Sequence, residues 1–74
     1  MTIGQAIKKA RKSKGYTQAK VAKKIGVGQP TVSLWETDRF SPPIMLAVCL
    51  ADALGITLDE LVGREVPSNE MQST

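Results

Sequence analysis

A chain of 74 residues can bury one small core, near the size at which a fold is only marginally stable without a staple or a partner. It has no histidine, a single cysteine, no clustering of acids at metal-ligand spacing and no glycine-rich phosphate loop, which argues against catalysis, a metal site or any cofactor. The net charge of +3 hides an asymmetry, because residues 1–35 carry eight lysines and arginines with no acid, a charge of +8, whereas residues 36–74 set two arginines against seven acids, a charge of −5.

The aromatic residues are only Tyr16, Trp35 and Phe40, so aliphatic side chains and close alanine contacts must supply the core, which suits a small helical bundle. Thr2 and Gln5 stand at capping-box spacing, and Ile3, Ala6, Ile7 and Ala10 recur at helical intervals, predicting a first helix over Ile3–Lys14 that Gly15 ends. Thr17 caps a second helix, Gln18–Ile25, whose buried stripe is Val21, Ala22 and Ile25, and Gly26 stops it. Gly28, Gln29 and Pro30 start a third, Gln29–Thr37, since a proline in the first turn forfeits no intrahelical hydrogen bond. Val32 and Trp35, three apart, face inward there and leave Gln29, Pro30, Thr31, Ser33 and Leu34 outward.

Residues 38–43 form a loop closed by two prolines, of which Pro43 also suits the first turn of the next helix. The apolar run Ile44, Leu46, Ala47, Val48, Leu50, Ala51, Leu54 then predicts a central helix buried on several sides, with Cys49 a small buried thiol in a reducing compartment. After Gly55, Thr57 and Glu60 repeat the capping-box spacing ahead of a short helix, Leu58–Val62, which Gly63 ends. The expected folded unit is residues 1–63, and the polar, aperiodic residues 64–74 read as a disordered tail. No apolar stretch approaches about twenty residues and no cleavable signal pattern opens the chain, so membrane spanning and secretion are not expected and the cytoplasm is the default.

The segment YTQAKVAKKIGVGQPTVSLWE, Tyr16 to Glu36, places two short helices about a tight turn with polar residues at the start of the second, the arrangement by which a protein enters the major groove. Thr17-Gln18, Val21-Ala22, Ile25-Gly26-Val27, Gln29, Val32-Ser33 and Trp35-Glu36, then Pro42 and Ala51 to Leu61, resemble in register the helix-turn-helix domains of the Cro and lambda-repressor type, the XRE family, over roughly residues 3 to 63. The resemblance implies an all-α, five-helix lambda-repressor-like domain with its helix-turn-helix at helices two and three. It also implies a transcriptional regulator, foremost a repressor, that binds a palindromic double-stranded DNA operator as a homodimer, and a bacterial or phage origin. The basic first half fits that polyanionic partner.

Among the outward residues, Gln29 can offer adenine both a donor and an acceptor. The resemblance makes Gln18 its buttress and a phosphate contact. Pro30 and Leu34 stand where relatives commonly carry polar side chains, so their expected contact is apolar, for Leu34 a thymine methyl. Thr31 and Ser33 are further base-contact candidates. Thr17 and Thr37, at helix ends, and Arg39 are expected at phosphates. By the resemblance, Asp38 stands where the family usually has glycine or asparagine in a left-handed turn, and its carboxylate would face the phosphates unless a neighbour such as Arg39 neutralises it. Arg11 and Glu36 match a structural ion pair, Trp35 is core, and Leu58 and Val62 are the candidate dimer contact. A protein-interaction module, an antitoxin or adaptor built on the same helices, is the competing reading, and a surface touching RNA polymerase would allow activation.

Overall fold

Left-handed glycines and threonine caps mark most of the helix boundaries. In a computed structural model that describes residues 1–62, five helices follow in order among the described residues: α1 (Ile3–Lys14), α2 (Gln18–Ile25), α3 (Gln29–Glu36), α4 (Ile44–Leu54) and α5 (Leu58–Val62). Thr2 and Gln5 form the predicted capping box at the start of α1, and Thr17 Oγ1 accepts the Lys20 amide at the start of α2. Gly15, Gly26 and Gly55 end α1, α2 and α4 at φ of 75°, 77° and 70°, a region that disfavours a Cβ. Two boundaries differ by a residue from expectation. Thr37 is the C-cap of α3 rather than its last residue, and Pro43 remains outside α4 as an extended N-cap. The tail expected over residues 64–74, and Gly63 as the end of α5, lie outside the described residues.

The core gathers Ile7 of α1, Val21 of α2, Val32 and Trp35 of α3, Leu50 and Leu54 of α4 and Leu61 of α5, with small Ala22, Ala47 and Ala51 letting the helices approach. Helix α1 packs on α3, α4 and α5, while α2 packs on α3 and α4. The expectation that α4 is buried on several sides is corrected. Ala47, Leu50, Ala51 and Leu54 are its buried face, whereas Ile44 is 65%, Met45 71% and Val48 39% exposed. Cys49 is likewise exposed and not a buried thiol. An unbroken apolar run reveals no face of its own, and so few neighbouring helices cover only one.

Asp38 also departs from expectation. It adopts the left-handed turn, φ 62°, but its carboxylate is turned toward the amino end of α1, where Oδ1 accepts the Gly4 amide at 3.0 Å and Oδ2 the Thr2 hydroxyl at 2.6 Å. The carboxylate thus satisfies an otherwise unpaired first-turn donor and complements the positive end of the helix dipole. This contact needs a glycine beneath it. A Cβ on Gly4 would lie 2.7 Å from both Asp38 Oδ1 and the Glu36 carbonyl oxygen, and would collide with the Trp35 carbonyl. Gly4→Ala is therefore expected to prise α1 from the end of α3, costing about 1 to 3 kcal/mol as overpacking does. At roughly 4 to 8 °C per kcal/mol for a domain this small, thermal unfolding followed by circular dichroism reads the loss, and an unchanged midpoint would contradict it.

Candidate nucleic-acid interface

The surface formed by α2 and the amino end of α3 is organised from beneath by one ion pair. Arg11, on α1, extends its guanidinium under the helix-turn-helix: Nε donates to Glu36 Oε2 at 2.6 Å, Nη2 to Glu36 Oε1 at 3.1 Å, and Nη1 to the Tyr16 carbonyl at 2.8 Å. Both charged residues are buried, with side chains 10% and 2% exposed. The fork geometry matches guanidinium to carboxylate, and the third bond ties the pair to the turn before α2. No buried side-chain nitrogen or oxygen among the described residues lacks a partner.

Glu36 has one more partner. Its Oε1 accepts Gln18 Nε2 at 3.0 Å, and Gln18 Oε1 in turn accepts Gln29 Nε2 at 2.6 Å. The expected Gln18–Gln29 contact is thus present, and a continuous path of hydrogen bonds runs from the buried guanidinium to the exposed side chain of Gln29. Gln29 is the first residue of α3, and Gln18 the first of α2. Their meeting follows from the tight turn between Gly26 and Gly28, which brings the two helix starts onto one edge.

Gln29 and Pro30 are exposed, while Thr31, Ser33 and Leu34, read from sequence as outward, are each half-buried. Thr17 is exposed, and because its Oγ1 only accepts from the Lys20 amide, the hydroxyl proton remains free for an anion. Thr37 differs. Its hydroxyl donates to the Ser33 and Leu34 carbonyls at 3.0 and 3.2 Å, so its proton is engaged at the end of α3. Arg39 is exposed just beyond. Leu58 and Val62 are half-buried, Leu58 against the core.

The sequence reading passed over Tyr16. Lys20 and Lys24 each set Nζ 5.3 Å from its ring centroid, so two cations flank one aromatic ring beside a shallow hollow lined by Thr17, Ala19, Lys20, Lys23 and Lys24. The available signal was the spacing of four residues from Tyr16, just ahead of α2, to Lys20 and on to Lys24. Such contacts contribute about 0.5 to 1 kcal/mol at exposed sites and limit the wandering of flexible lysines. The carboxylates nearest this surface are withdrawn from it, Glu36 by Arg11 and Asp38 by α1. What remains is a cationic edge with one ordered amide, a form suited to a polyanion bearing hydrogen-bonding edges.

A family model described as helix-turn-helix matches residues 7–61. The chain belongs to this helix-turn-helix family. It is 36% identical over 73 residues to the immunity repressor protein of Bacillus phage phi105, an alignment covering 99% of this chain and 51% of that repressor. The chain thus spans about half the length of that curated relative. Among solved structures it is similar to the P22 c2 repressor in complex with a synthetic operator, with a TM-score of 0.81 and 29% identity over 84% of this chain and 94% of that one. The biofilm regulator SinR, in complex with DNA, aligns with a TM-score of 0.76 and 33% identity over 81% of this chain and 97% of that one. The fold is therefore that of the lambda- and P22-repressor-like helix-turn-helix domains.

Removing one partner of a buried pair strands the other's charge, which costs about 3 to 5 kcal/mol. Glu36→Ala leaves the Arg11 guanidinium so stranded, and denaturant unfolding is expected to show a loss of that size. A loss under about 1 kcal/mol would mean that the pair is already solvated and holds nothing.

Proposed function

We propose that the chain is a DNA-binding transcriptional regulator that recognises an operator in the major groove and represses by occluding a promoter. The observation that carries this reading is the exposed Gln29 side chain at the first position of α3, held by Gln18. Held in this way, Gln29 keeps one amide proton and its oxygen free, the donor and acceptor that match adenine N7 and the adenine amino group. Pro30, Thr31, Ser33 and Leu34 complete the base-facing surface, Pro30 and Leu34 through apolar contact with a thymine methyl. Thr17, Gln18, Arg39 and the Tyr16-flanking lysines hold phosphates, whereas Thr37, its hydroxyl proton engaged at the end of α3, does not. The phage repressor and the two DNA complexes among its relatives support the reading. No described helix is long and apolar enough to cross a membrane, and a cytoplasmic regulator is the form proposed.

One recognition helix reads only a few base pairs, so we propose a homodimer on a palindrome whose half-sites lie one helical turn apart, roughly 34 Å. Two apolar surfaces serve it: half-buried Leu58 and Val62 on α5, and exposed Phe40, Ile44, Met45 and Val48 around the start of α4. Sedimentation equilibrium of Val62→Glu and Met45→Glu distinguishes them. The variant whose residue the contact buries is expected to dissociate at about tenfold higher concentration, equivalent to about 1.4 kcal/mol, and dimers undisturbed by both would place the contact elsewhere.

Selection of bound duplexes from a randomised pool tests the function directly. The wild type is expected to enrich a palindrome containing adenine that Gln29→Ala no longer prefers. Lys20→Ala, by contrast, is expected to weaken all duplexes alike and to reduce the slope of log affinity against log salt by about one. Failure to bind any duplex would favour the protein-interaction reading, an antitoxin or adaptor.

A further inference from the structure

We infer that Glu36, although buried and remote from the groove, is a positioning residue for base choice. It determines which end of the Gln29 amide faces the DNA. The inference rests on the proposed base-reading role of Gln29 and goes beyond it. A glutamine amide looks nearly the same to packing forces in either of two orientations, yet the two present opposite patterns to a base. One orientation matches adenine, with oxygen toward the amino group and N–H toward N7. Turned over, both contacts become repulsive, while guanine meets one attractive and one repulsive contact in either orientation. A reader free to turn discriminates poorly.

The hydrogen-bond path removes that freedom. A carboxylate gripped by a guanidinium has no proton to give, so Glu36 Oε1 can only accept, and Gln18 must offer its Nε2, here at 3.0 Å. Gln18 then has only its oxygen for Gln29, and Gln29 must answer with Nε2, here at 2.6 Å. Polarity passes outward from an acceptor-only group through two amides whose own preferences are undecided. Gln18 is half-buried between a buried acid and an exposed amide, so it is placed to transmit this order. A carboxylate is the group that makes the order obligatory.

Glu36→Gln tests this with little change of shape. Its amide can turn an N–H toward Gln18, which then reverses, and Gln29 with it. A good bidentate contact discriminates by roughly 5- to 150-fold. The adenine-over-guanine preference at the Gln29 position is expected to fall in Glu36→Gln to the level of Gln18→Met, with affinity for random-sequence duplex and its salt slope unchanged. A purely structural role would lower binding to adenine and guanine sites together and leave their ratio intact, and that result would overturn the inference. Should Glu36→Gln not fold, replacing both partners, Arg11→Met with Glu36→Met, removes the acceptor while keeping an apolar packed site, since such replacements are often neutral in stability. The same loss of preference is expected, and a retained preference overturns the proposal. Wild type and Gln29→Ala are selected in parallel. If the wild type shows no adenine preference, or Gln29→Ala keeps it, the base-reading role itself fails and the inference falls with it.

Discussion

Burying a guanidinium and a carboxylate in a domain this small is a severe constraint, because both charges lose water and regain stability only through good geometry. The Arg11–Glu36 pair meets it with a two-bond fork and a third bond to the Tyr16 carbonyl. Its consequences reach in three directions. It joins α1 to the end of α3, it anchors the turn ahead of α2, and it supplies the fixed acceptor from which Gln18 and Gln29 take their order. The close approach of α1 to α3 that Gly4 permits, with Asp38 capping α1, secures the same junction from its other side.

The two tasks of a DNA-binding surface are physically separated. Attraction to a polyanion needs charge more than exact placement, and in the proposed reading it comes from the exposed lysines of α2, two of them steadied over Tyr16. Discrimination between bases needs a donor and an acceptor fixed in direction, and in the proposed reading it comes from the Gln29 amide tied to the core. The two acids beside this edge are occupied, Glu36 by Arg11 and Asp38 by the amino end of α1. A net charge of +3 therefore understates the field at this edge, where Lys20, Lys23 and Lys24 line one hollow.

Much of this was legible from sequence because local chemistry encodes it. Thr2 with Gln5, Thr17, and the glycines at 15, 26 and 55 mark helix ends within four residues of the groups they satisfy, and the ends of α1 and α2 and the close of α4 follow. Gln29 stood out because an amide at the start of a helix after a tight turn offers a base both a donor and an acceptor. What could not be read was long-range or depended on how many neighbours exist. Asp38 caps a helix begun more than thirty residues earlier, so a carboxylate expected near phosphates proved to be structural. Helix α4 looked central because its run is apolar, yet the fold has partners for only one of its faces, leaving Ile44, Met45 and Cys49 outside. The bond from Gln18 to Glu36 unites a reader and a core pair that the sequence presents as separate features.

The most direct measurement is a double-mutant cycle on base preference: affinities of wild type, Gln18→Met, Gln29→Ala and the double variant for the selected duplex and for its adenine-to-guanine counterpart. If the two amides act as one reader ordered from the core, either single change removes the preference and the double variant loses nothing more. Losses that simply add would show two independent contacts, and would contradict a reader held together by the chain of hydrogen bonds from Glu36.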